Sequence, residues 1–88
     1  MTSGGGLRID VEWAGDACEV VLHGALSAAG VRLFDDALEL ALEQAGSRHH
    51  EVVLDLRDVV AVDARGEDEL RSVGLRARRA GCQVRVLA

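Results

Sequence analysis

The chain has 88 residues and a mass of 9.3 kDa, enough for one domain and not for two. Hydrophobic residues make up 49% and charged residues 28%, a globular composition, and the longest apolar runs are only about as long as residues 59–62, too short to cross a bilayer. Fifteen acids against ten bases leave a net charge of −5, which argues against a nucleic-acid backbone or an anionic membrane surface as the main partner.

The first six residues, Met-Thr-Ser-Gly-Gly-Gly, carry neither a cationic region nor an apolar stretch, so no signal peptide is expected and a cytoplasmic location is. They read as a flexible leader, with the folded domain over 7–88. Leu7, Ile9, Val11 and Trp13 alternate with Arg8, Asp10 and Glu12, which predicts a half-buried strand. Ala14-Gly15-Asp16 supplies turn chemistry, and the chain returns from Ala17 to His23 as a second, antiparallel strand that Gly24 ends. Ser27 is the expected N-cap of a helix whose stripe is Val31, Phe34, Leu38, Ala41 and Ala45, widened by Leu42, with Gly46 as its stop signal.

After a polar loop, residues 51–56 read as a short apolar strand and Arg57-Asp58 as a turn. Residues 59–62 then form a second apolar run, either a strand buried on both faces or a short buried connector. Residues 66–80 read as a helix with Leu70, Val73, Ala77 and Ala80 on one face. Gly81 caps it, and 82–87 is a final strand. The predicted order is β-β-α-β-(β)-α-β, an α/β fold with a mixed sheet and helices packed on it.

Most site chemistry is missing. All ten bases are arginine, so neither a P-loop nor a Schiff-base lysine exists. There is no C-x-x-C and no G-x-S-x-G. Cys18 and Cys82 lie far apart in apolar stretches and read as free buried thiols, and no zinc spacing surrounds them. His49-His50 reads as a solvated loop and His23 as a structural strand-end residue. No catalytic residue, metal site or cofactor is expected. Lys, Asn, Tyr and Pro are absent and Ile occurs once, a bias towards GC-rich codons that suggests a bacterial genome.

One constellation remains: residues 52–81, VVLDLRDVVAVDARGEDELRSVGLRARRAG. An apolar strand with Asp-Leu, a second apolar segment ending in Asp63, then Gly66 opening a helix, resembles the STAS domain, the family of anti-sigma factor antagonists and of sulphate-transporter cytoplasmic tails. His23-Gly24-Ala25-Leu26-Ser27 resembles that family's exit from its second strand. Arg79-Ala80-Gly81-Cys82 with Val84, Val86 and Leu87 resembles its helix-Gly-strand return. The resemblance spans residues 7–88. It implies a non-catalytic regulatory module that binds a protein, an anti-sigma factor or related kinase-fold partner. Ser27, Asp63, Ala64, Arg65 and Gly66 would then lie at the interface, with Glu67 and Asp68 adjacent. Asp63 would orient the loop and Gly66 would permit a tight start to the helix, or serve simply as a turn residue.

The chain departs from the family in two places. The family loop reads Asp-[Ser/Thr]-[Ser/Thr]-Gly and is phosphorylated on its first hydroxyl, whereas this chain has Asp63-Ala64-Arg65-Gly66, so Ala64 leaves no phospho-acceptor there. The family also usually continues into a further helix, and its absence here would leave a sheet edge or face open to a partner or a homodimer. The alternative reading is a STAS-type cytoplasmic accessory subunit of a membrane transporter, such as a lipid-transport ABC system. Residues 63–69 carry four acids and one Arg, while Arg71, Arg76, Arg78 and Arg79 follow. This order complements the helix dipole, and also reads as a permanently anionic loop resembling a phosphorylated relative.

Overall fold

In the computed structural model, which describes residues 2–4, 6–48 and 50–88, the alternating segments of the sequence become one sheet. The elements in chain order are β1 (Thr2–Gly4), β2 (Leu7–Ala14), β3 (Ala17–Leu26), α1 (Val31–Arg48), β4 (Glu51–Val62), α2 (Ala64–Ala80) and β5 (Gln83–Leu87). The spatial order is β1-β2-β3-β4-β5. β1 and β3 run antiparallel to β2, while β3, β4 and β5 are mutually parallel, so the sheet is mixed as expected. Parallel neighbours need a crossover, and α1 and α2 are the two crossovers.

Both helices lie against the same side of the sheet. Leu7 and Ile9 of β2, Cys18, Val20 and Leu22 of β3, and Val52 and Leu54 of β4 meet Phe34, Leu38, Ala41, Leu42 and Ala45 of α1 and Val73 and Ala77 of α2. Phe34 is the largest side chain removed completely from water. The opposite face carries Arg8, Asp10, Glu12, Glu19, Val21, His23, Val53 and Asp55, and among the described residues no helix covers it. Cys18 and Cys82 are free thiols, both pushed up in pKa by burial.

Several boundaries differ from the expectations, each for a physical reason. Residues 2–4 join the sheet as β1 instead of standing outside it as a leader, because backbone pairing needs no side-chain pattern; Met1 and Gly5 lie outside the described residues. Gly24 does not end β3, which stays paired to β4 as far as Leu26 and Val62. Arg57-Asp58 is no turn. β4 continues through it, with register shifts against β3 between Val21 and His23 and between Gly24 and Ala25, so the extra residues are absorbed as bulges. Residues 59–62 are accordingly the end of β4 and are not buried on both faces: Val60, the extra residue of the bulge between Val59 and Ala61, is 83% exposed, and β5 pairs only with β4 residues 51–55. α1 runs through Gly46 to Arg48, and His49 lies outside the described residues.

Candidate functional site

Asp63 stands where β4 gives way to α2. Its backbone is extended, and its carboxylate caps the helix: Oδ1 accepts from the Gly66 N–H at 2.9 Å. The other oxygen reaches across to a different element. Oδ2 accepts from the Ala28 N–H at 3.0 Å, in the loop between β3 and α1. The Asp63 N–H donates to the Leu26 carbonyl at 3.2 Å, at the end of β3. One aspartate thus ties the start of α2 to the start of the α1 crossover. These N–H groups, with Gly66 the largest contributor and Ala28 next, hold its carboxyl below the usual range.

Gly66 is buried inside the first turn of α2, and its backbone is ordinarily helical. A side chain there would run into the Leu26 carbonyl oxygen and sit 3.0 Å from both Leu26 Cγ and Val62 Cγ1. Space, and not conformational freedom, demands glycine at this position. The turn-residue reading of Gly66 is therefore replaced by a close backbone approach.

Ser27 is not the N-cap of α1. The helix begins at Val31, and it is the Ser27 carbonyl that receives the N–H groups of Gly30 and Val31, at 2.9 and 3.0 Å. A one-turn lead-in separates strand from helix because β3 runs on to Leu26. Ser27 nevertheless shares the site, one residue from the Ala28 N–H that Asp63 holds. Ala64 and Arg65 are exposed at the first turn of α2.

Glu67 and Asp68 are exposed but not free. Arg71 reaches both, at 3.5 and 2.9 Å, while Arg76 lies 3.5 Å from Glu69 and also pairs with Asp35 of α1 at 2.6 Å. The acids at the start of α2 are thus answered by the arginines that follow on the same helix. This geometry favours the helix-dipole reading of the charge order over an open anionic loop.

Val60, Ala28 and Ala29 were missed at the sequence level as site residues. All three are exposed, Ala28 and Ala29 in the loop that Asp63 holds and Val60 three residues before it on β4, and Val60 is the most exposed large apolar side chain described. A Val in an apolar run reads as core; only the bulge in β4 turns it outward. On the open face, the His23 ring sits between two carboxylates, Nε2 3.3 Å from Asp10 and Nδ1 3.2 Å from Asp58. Beside it Asp55, buried, binds the Arg57 side chain at 2.8 and 3.0 Å and its N–H at 3.0 Å, which lowers the Asp55 pKa to about 2.

Two clefts lie elsewhere, one between α1 and α2 around Arg76 and one beside His50 and Gly81, and none of the expected interface residues lines either. Among the described residues no group of His, Cys, Asp and Glu is arranged to hold a metal ion, and no helix is long and apolar enough to cross a membrane.

With this geometry in hand, solved structures identify the architecture. The chain superposes on the STAS domain of an anti-sigma factor antagonist from Rhodobacter sphaeroides with a TM-score of 0.72 at 24% identity, over 94% of this chain and 87% of that one. An anti-sigma factor antagonist from Mycobacterium paratuberculosis gives 0.62 at 20% identity, over 91% of this chain and 67% of that one. Mglu gives 0.74 at 27% identity over 88% of this chain, which spans only 18% of Mglu. No protein-family model and no curated protein sequence matches the chain. The fold is STAS-like: α/β, with a mixed sheet and two crossover helices on one face.

Proposed function

We propose that this chain is a non-catalytic regulatory module that binds a protein partner in the manner of an anti-sigma factor antagonist, through the surface gathered around Asp63. The observation that carries the reading is the double use of the Asp63 carboxylate, which fixes Ala28 and Gly66 against each other. On this reading Ser27, Ala64 and Arg65 make up one preformed contact surface, with the exposed Val60 before them on β4 and Glu67 and Asp68 at its margin. Preformed loops of this kind lower the ordering cost of association. Ala64 stands where related loops carry the phosphorylated hydroxyl, so binding would not be released by phosphorylation at this position.

The test is affinity capture from the native host with mild crosslinking, using the wild type and Arg65→Glu. The reading predicts an anti-sigma factor of ATP-binding fold, held by the wild type and lost by the variant. Ala64→Ser would additionally become a substrate of that partner if it is a kinase. Recovery of an ABC ATPase with its permease would replace this account with the transporter-subunit reading.

A further inference from the structure

The two edges of the sheet are unlike, and they fit each other. β1 stops opposite Ile9, so among the described residues 10–14 of β2 have no strand on their outer side. β5 is the opposite edge, and residues 83–87 are likewise unpaired on their outer side. Each free edge is five residues long. On the helix side, the β2 edge shows Val11 at 45% and Trp13 at 37% exposure, and the β5 edge shows Val86 at 49%.

The open side carries the charge. Glu12 lies directly opposite Glu19 of β3 in the antiparallel register, an arrangement that destabilises a sheet, and no ion pair to either is formed among the described residues. Arg85 of β5 projects from the same open side, 64% exposed, with a 3.4 Å contact to Glu51. Like-facing edges would fail. A β2 edge on a second β2 edge brings acids together, and a β5 edge on a second β5 edge brings Arg85 against itself.

We infer that β5 of one copy of this chain adds antiparallel to the free edge of β2 in a second copy, placing Arg85 against Glu12. The antiparallel sense keeps the helices of both copies on one side of the joined sheet, because β2 is antiparallel to β3, β4 and β5 within a single chain. The pleat parity also agrees: with Glu12 opposite Arg85, Val11 faces Val86 and Trp13 faces Val84. The contact is head-to-tail, using different surfaces on the two copies, and is a case of strand addition to a sheet edge.

Sedimentation equilibrium between about 1 μM and 1 mM reads the association, and Trp13, the only tryptophan, reports burial at the contact by a shift of its emission to shorter wavelength. The weight-average mass of the wild type should rise above 9.3 kDa with concentration, and added salt should weaken the rise. Glu12→Arg and Arg85→Glu, both at exposed positions, should each weaken association by about tenfold or more. Mixing the two variants in equal amounts should restore it, because each then meets its opposite charge. A mass that stays at that of one chain overturns the inference. So do variants that associate as the wild type does, loss in one variant only, or a mixture that fails to recover.

Discussion

Asp63 shows how much one side chain decides here. Its carboxylate is held ionised by two N–H groups from different elements, and its pKa lies below the ordinary 3.8. A depressed carboxyl contributes stability that is present above its unfolded pKa and lost as pH falls through the folded one. The wild type should therefore exceed Asp63→Ala in urea resistance at neutral pH, and that advantage should shrink as pH falls below about 4. Asp55, at about 2, acts in the same direction further into acid. Urea melts of both proteins at neutral pH and near pH 3 measure the difference; an advantage that acid leaves untouched would remove the carboxylate from the account. Asp63 was legible in the sequence as a junction residue. Its bond to Ala28 was not, since 35 residues separate the two and only the parallel pairing of β3 with β4 brings them together.

At the scale of elements, Gly46 separates propensity from packing. Its sequence signature is that of a helix stop, yet α1 continues to Arg48, and a Cβ on Gly46 would strike the Ala80 carbonyl oxygen of α2. Helix propensity alone predicts that Gly46→Ala stabilises by about 0.8–1.0 kcal/mol. Forcing the two helices apart costs roughly 1–3 kcal/mol in a packed interior, so the net effect should be destabilising, with a lower melting midpoint. A raised midpoint would show that the helices do not meet closely here. The helices themselves were readable: the Phe34, Leu38, Ala41, Ala45 stripe and the Val73, Ala77 face are both buried as their spacing predicts. The bulges in β4 were not. Arg57-Asp58 has the composition of a turn, and pairing to β3 overrides it.

The molecule as a whole is a sheet with a strong middle and thin edges. β3 and β4 supply Val20, Leu22, Val52 and Leu54 to the core, whereas β5 leaves Gln83, Arg85 and Val86 exposed. Amide exchange follows local opening. Residues 18–22 and 52–55 should therefore exchange slowest in native-state hydrogen exchange, and residues 83–87 should exchange much faster. Equal protection of β5 in dilute monomer would contradict this order. In concentrated protein, added protection in β5 and in residues 10–14 would follow from edge pairing.

Periodicity and composition alone determined an α/β domain of about the right element order, the core faces of both helices, and the absence of motifs for nucleotide or lysine chemistry. These properties are local, set by side-chain spacing within a few turns or pleats. The tertiary structure decided the rest. Gly66 and Gly46 are required by the backbone of distant residues, Val60 is exposed at a bulge set by the β3–β4 register, and Glu12 faces Glu19 because the hairpin register puts it there. Val60 is the extra residue of that bulge in β4, between the pairs made by Val59 and Ala61. Each of these depends on which strands become neighbours, a choice made by the packing of the whole chain that no short window of sequence contains.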